Sequence, residues 1–251
     1  MTIPLQKDII YGPVKSRRLG FSLGLNLLGP EAKQCTFNCV YCQYGWTPKA
    51  PGPGSPPGIP SSEEVLKALE EALTRLTSMP QYITFSGNGE PTLHPDFPGL
   101  VDGVIRLRDR LAPQSRVAVL SNSSTISRDE IYRALARLDV RIMKLDAGTE
   151  GTYRRFNRVM TDLDLEAIVR GLASLGQVTI QTLFAEGPSG NWSPAEIESW
   201  IDRLKAVGPE SVQIYTLARS YPSPDIGAVG REDLERLGQR LREAGLDAAV
   251  Y

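Results

Sequence analysis

Histidine is almost missing from this 251-residue chain, which has only His94. Cysteine is scarce too, at three residues, and no apolar run approaches the roughly 20 residues that a membrane-spanning helix needs. Neither sign of charge dominates, since 28 Lys and Arg face 29 Asp and Glu for a net charge of -1. Each shortage excludes something. Without a basic excess there is no electrostatic case for a general nucleic-acid binder, although a local basic patch stays open. Without long apolar runs no membrane partner is expected. The first residues lack the basic and apolar regions of a signal peptide. Together with an odd cysteine count, this fits a cytoplasmic chain with reduced thiols better than a disulfide-stapled secreted one. No fixed-period repeat is evident.

What is present is concentrated. All three cysteines fall in Cys35-Thr-Phe-Asn-Cys39-Val-Tyr-Cys42. Buried structural cysteines scatter through core segments, because a free thiol behaves as a small hydrophobe. Here they sit in a short loop with polar residues between them, a spacing that can wrap sulfurs around a small metal centre. Thiolates are soft ligands, so iron–sulfur and zinc are the candidates. Three protein donors suit a catalytic centre that keeps one coordination position open, whereas structural zinc takes four. A second reading stays beside this one: a non-catalytic zinc-binding module with His94 as fourth ligand.

Along the chain, strand and helix patterns alternate about six times. Phe21–Leu28 alternates like a strand and feeds the cysteine loop. Residues 48–60 carry so many prolines and glycines that regular structure is excluded. They read as a surface loop, because no independent core precedes them. Ser61-x-x-Glu64, Ser127-x-x-Glu130 and Ser193-Pro-Ala-Glu196 read as capping boxes. Strand-like runs at 81–86, 116–120, 140–146, 177–184 and 211–216 alternate with helical patterns, and 246–251 reads as an edge strand. The expectation is an α/β fold, a partial (β/α)6 TIM-like barrel of parallel strands with helices outside, as one domain over 1–251 with residues 1–20 as a lead-in. Chemistry-bearing residues follow successive strands at their C-terminal ends, where barrel enzymes place their sites. They are the cysteines, the turn Gly87-Asn88-Gly89-Glu90, the pair Ser121 and Asn122, and Lys144 with Asp146. Gln181 and Gln213 are polar residues inside β-forming runs. Ser16-Arg17-Arg18 reads either as a solvated turn or as an anion site near the barrel mouth.

The cysteine spacing, with Tyr41 in the aromatic position, resembles the signature of the radical S-adenosylmethionine (SAM) enzymes. The resemblance implies that Cys35, Cys39 and Cys42 hold a [4Fe-4S] cluster whose fourth iron is chelated by SAM. It also implies reductive cleavage of SAM to a 5′-deoxyadenosyl radical that abstracts hydrogen from a substrate. By the same resemblance, Gly87, Asn88, Gly89 and Glu90 hold the SAM amino group, Ser121 and Asn122 the ribose, and the backbone at Tyr41 the adenine. Lys144 and Asp146, as catalytic candidates, line the SAM and substrate cavity with Gln181 and Gln213. A flavodoxin or ferredoxin is the implied electron donor. Tyr11–Gly20, Ser86–Pro95 and Lys144–Ala147 narrow the likeness to the family related to the wyosine tRNA-modification synthetases. Those carry extra cysteines for a second cluster, and this chain has none to spare. The substrate, small or macromolecular, is therefore left unassigned. Arg17, Arg18, Arg154, Arg155 and Arg158 would be the RNA-docking residues if it were tRNA.

Overall fold

The computed structural model describes residues 2–50 and 58–251, so most of the Pro/Gly-rich stretch expected as a loop lies outside the described residues. Its centre is a run of parallel strands, each led back by a helix: β2 (Gly20–Asn26), β3 (Tyr82–Ser86), β4 (Arg116–Ser121), β5 (Val140–Lys144), β6 (Val178–Glu186) and β7 (Ser211–Thr216). They pair in sequence order, all parallel. A final strand β9 (Ala248–Val250) adds in parallel beyond β7. Among the described residues the two edges of the sheet do not pair with each other, so this is an open barrel.

Residues 9–20 are more ordered than a lead-in. Ile10–Ser16 form β1, antiparallel to β2 and at the edge of the sheet. The Gly12-Pro13 pair reads locally as a turn. An edge strand tolerates a proline, and the register shifts between Tyr11 and Val14 to accommodate it. A two-residue strand, β8 (Gly227–Ala228), pairs with the end of β6.

The helices cover the outer face: α1 (Ser62–Arg75), α2 (Phe97–Leu111), α3 (Asp129–Ala136), α4 (Glu150–Asn157), α5 (Leu165–Leu175), α6 (Pro194–Val207) and α7 (Arg231–Glu243). Their apolar faces bury Leu69, Leu73, Leu100, Val104, Leu172, Trp200, Leu204 and Leu241 against the sheet. Each such side chain contributes about 1.5–3 kcal/mol on burial. Met143, on the outward face of β5, is fully buried in this layer.

The helix starts follow three different routes. At α1 both halves of the capping box form. At α3 the expected box is absent: Ser123 takes a positive φ, turns occupy 124–127, and the helix starts after Arg128 with no side-chain cap. At α6 only half of the box forms. Ser193 accepts from the Glu196 backbone amide, but the Glu196 carboxylate turns elsewhere. It accepts from the amides of Gly148 and Thr149 at 2.6 and 3.1 Å and from the hydroxyls of Thr149 and Thr152 at 2.7 and 2.8 Å. It thereby fixes the turn after β5 and the start of α4. The turn lies so close to α6 that a Cβ on Gly148 would come 2.1 Å from the Trp200 amide nitrogen.

Glu196→Ala leaves two amides and two hydroxyls without their acceptor. We expect it to destabilise the fold by about 2–4 kcal/mol, read from urea unfolding by circular dichroism. An unchanged midpoint would remove Glu196 from this role.

Candidate functional site

Parallel register aligns the strand ends, so the loops after β2, β3, β4 and β5 meet at one mouth. The loop after β2 carries the cysteines and is held by its neighbours. The Gln34 amide donates to the Asn88 carbonyl and the Glu90 amide to the Gln34 carbonyl, both at 3.0 Å, pairing the loop with the glycine turn after β3. This contact needs glycine. Gly89 has φ +143°, and a Cβ there would fall 1.7 Å from the Gln34 oxygen. Further along, Asn38 and Val40 donate to the carbonyls of Asn157 and Phe156 at the end of α4, each at 3.0 Å. Thr36 shares a hydrogen bond of 2.5 Å with Ser124.

Cys35, Cys39 and Cys42 all line a cavity of about 600 Å³ that opens at this mouth. Burial pushes the Cys35 thiol up to about 12 and the Cys39 thiol up to about 11. Each sulfur nevertheless receives a side-chain amide, from Asn122 to Cys35 and from Asn157 to Cys39, both at 3.4 Å. Desolvation opposes a bare thiolate while amide donors favour the anion. A cationic metal centre on the sulfurs resolves that conflict, and the donor set fits iron.

Glu90 is buried and both its carboxylate oxygens are occupied. It accepts from the Thr92 amide and hydroxyl at 3.2 and 2.6 Å, from the Ser121 hydroxyl at 2.9 Å and from the Asn122 amide at 2.6 Å. Burial raises its pKa, and these donors pull the other way. A bound ammonium would add to their effect.

Asp146 lies just past the end of β5, 3% exposed. Its Oδ1 accepts from the Leu183 amide at 2.9 Å and lies 2.8 Å from Lys144 Nζ. Its Oδ2 accepts from Asn157 Nδ2 at 2.9 Å and from the Tyr41 hydroxyl. Desolvation works against charge on Lys144, but the Asp146 carboxylate and Tyr215 outweigh it, and the ammonium is held above the ordinary lysine value.

Among the sequence-derived candidates, Tyr41, Gly87, Gly89, Glu90, Ser121, Asn122, Lys144 and Gln181 line the same cavity as the cysteines. Three others do not. Asn88 is fully buried and staples the N-terminal segment: it accepts from the Gln6 amide at 2.7 Å and donates to the carbonyls of Gln6 and Gly29 at 2.8 and 3.2 Å. Gln213 lies behind Gln181, accepting its amide at 3.0 Å. The carboxylate of Asp146 is committed to its four partners and lines a small void of about 10 Å³ instead. His94 is remote in role. Its Nε2 pairs with the Pro60 carbonyl at 2.9 Å and its Nδ1 accepts from the Asp96 amide at 3.1 Å, so it has no nitrogen to offer the cysteine loop. Asn157, which ties Cys39 to Asp146, was not found from sequence. Thr149 as a cap, followed by Tyr153 and Phe156 on one face, is the signal that locates its helix.

Comparison with known proteins gives the family. A family model described as "Radical SAM superfamily" matches residues 32–185. A protein named "GTPase Obg" from Brachyspira hyodysenteriae is 30% identical over 92% of this chain, which spans 33% of it. A "UPF0026 protein" from Helicobacter pylori is 29% identical over 87% of this chain and 70% of its own length. Among solved structures, a radical SAM methyltransferase from Sphaerobacter thermophilus aligns with TM-score 0.68 at 16% identity, covering 92% of this chain and 65% of that one. TYW1 with a lysine-pyruvate adduct bound aligns with TM-score 0.62 at 18% identity, over 88% of this chain and 73% of that one. Identities this low speak to the fold.

Gly89→Ala is expected to part the cysteine loop from the glycine turn, costing about 1–3 kcal/mol in unfolding free energy and most of the bound iron. Gly151→Ala, in α4 with open space around it, is the control and should be neutral or slightly stabilising. Equal iron content in the two variants would show that the contact at Gly89 does not shape the site.

Proposed function

From the premise that this chain belongs to the radical SAM superfamily, we propose that it is a single-cluster enzyme that cleaves SAM reductively and abstracts hydrogen from a substrate. One observation carries this reading. The only three cysteines of the chain meet, at the mouth of an open parallel barrel, a glycine turn that ends in a buried glutamate. Superfamily members generally use a [4Fe-4S] cluster with SAM, and three thiols beside a buried carboxylate in one cavity support the same use here. Cys35, Cys39 and Cys42 would hold the cluster. When bound, the cluster and SAM supply the radical chemistry. What remains for the protein is to orient and to exclude water.

Those tasks fall to named residues. Glu90, Gly87 and Gly89 would face the SAM amino group, a carboxylate and backbone carbonyls suiting a cation. Ser121 and Asn122 are held against Glu90 and would turn towards the ribose, and the backbone at Tyr41 towards the adenine. Tyr41 is fixed from two sides, by its hydroxyl on Asp146 and by its ring against Phe156, with centroids 5.1 Å apart. Asp146 would act through Lys144, Tyr41 and Asn157 as a positioning residue. Lys144 presents a charged ammonium to the cavity with Gln181 beside it, and Gln213 supports Gln181 from behind. Among the described residues no helix is long and apolar enough to cross a membrane. We place the protein in the reducing cytoplasm, served by a flavodoxin- or ferredoxin-type donor. The whole chain functions in this reading as one domain.

Protein purified without oxygen should be brown, with about four iron and four sulfide per chain, as expected of a cubane. Dithionite should drive it to form 5′-deoxyadenosine and methionine from SAM. Replacing any one of the three cysteines by alanine should abolish cleavage and most of the iron. Colourless protein with one zinc per chain, or cleavage surviving the loss of a thiol, would defeat the reading.

A further inference from the structure

The cavity has a polarity that the chemistry above leaves unused. Six cations line it, Lys15, Arg17, Arg18, Lys33, Lys144 and Arg219, against a single carboxylate, Glu90. The chain as a whole has a net charge of -1, so this is a local excess. A cosubstrate bearing one carboxylate answers one of the six. Lys144 is already paired with Asp146, and Lys33 is buried with its ammonium on the Gly45 carbonyl at 2.8 Å.

The remaining four line the cavity from opposite ends of the sequence. Lys15, Arg17 and Arg18 are on the hairpin of β1 and β2, and Arg219 follows β7. Sixteen ion pairs join described residues, mostly along the outer helices, and none includes these four. Two of them are oriented nonetheless. The Arg18 guanidinium lies 4.2 Å over the Tyr215 ring. Stacking occupies its face and leaves its edge of N–H donors free. Arg219 is tethered through one nitrogen to Gln43, next to Cys42, at 2.8 Å. Lys144 Nζ also sits 5.0 Å from the centre of the Tyr215 ring. Two cations thus flank one phenol, and of the two Arg18 is the one with no acid partner.

The other arginines weighed as RNA contacts do not share this geometry. Arg154 is paired with Glu150 at 2.6 Å, Arg155 bonds Thr152 and Gly190, and Arg158 stacks over Trp46. None of the three lines the cavity.

Resting on the reading of this cavity as the SAM and substrate site, we propose that Arg17, Arg18 and Arg219 bind a phosphate group of the substrate. Several guanidinium groups lining one cavity match a polyanionic, tetrahedral oxygen array better than a lone carboxylate does. The phosphate belongs either to a free phosphate ester or to a polynucleotide backbone, and the test separates these sources.

Cluster-loaded protein, saturated with SAM and without reductant, is titrated calorimetrically at low ionic strength. The probes are ribose 5-phosphate, ribose as the uncharged control, and a short RNA hairpin. We expect a phosphate-bearing probe to bind at least about ten-fold more tightly than ribose, as charge-assisted hydrogen bonds do. Arg18→Gln and Arg219→Gln should each weaken it about five- to ten-fold, and Arg17→Glu together with Arg18→Glu should abolish it. Variant-sensitive binding of ribose 5-phosphate assigns a free ester. Variant-sensitive binding of the hairpin alone, with affinity falling steeply as salt rises, assigns a polynucleotide. If neither phosphate probe outbinds ribose, or if the folded variants bind as the wild type does, the proposal is overturned. Iron content and dithionite-driven SAM cleavage, measured on the same wild-type preparation, judge the radical reading separately.

Discussion

The site depends on two backbone hydrogen bonds between Gln34 and the turn at Gly89. They close only because Gly89 has no Cβ, and they bring the end of one strand's loop against the end of the next. The cysteines then share a cavity with a carboxylate whose own position is set by Ser121 and Asn122 at the end of the third strand. Three consecutive strand ends are thereby locked into one frame by hydrogen bonds that require no metal. A fourth is added through Asp146, which links β5, α4 and the Tyr41 ring. Preorganisation of this kind is what a radical reaction asks of its protein, because the reactive species must meet its target and nothing else.

Charge is handled differently inside and outside this frame. Within it, each buried ionic group has several partners: Glu90 has four donors, and Lys144 has a carboxylate and a phenol. Unpaired burial would cost several kcal/mol for each ion, so pairing is a condition of folding. Outside the frame, the hairpin arginines Arg17 and Arg18 stay uncommitted to any acid among the described residues.

Much of this could be read from residues. The cysteine spacing, the Gly-x-Gly-Glu turn and the strand–helix alternation were legible because each is local: metal donors, a positive-φ turn and a hydrophobic period are written in adjacent positions. What escaped notice is non-local. β1 was hidden by Gly12-Pro13, whose turn chemistry is overridden only because the strand lies at the edge of the sheet. Glu196 reads as the second half of a capping box, yet its carboxylate is drawn to four donors on another loop. Asn88 sits in the middle of a ligand-binding motif by sequence, but packing turns it inward to hold Gln6. Asn157 and Tyr215 acquire their meaning only once chain segments more than 100 residues from Cys39 and Cys42 are folded against them.

An open sheet has two free margins, β1 and β9, and the residues proposed for phosphate lie on two arms near them: the β1–β2 hairpin and the segment after β7. Neither arm contributes a sulfur ligand or the turn that pairs with the cysteine loop. On the proposed reading, selectivity and reactivity are thus modular. Lengthening, trimming or recharging an arm would change which molecule is held while the hydrogen-bonded frame around the cysteine loop is inherited unchanged.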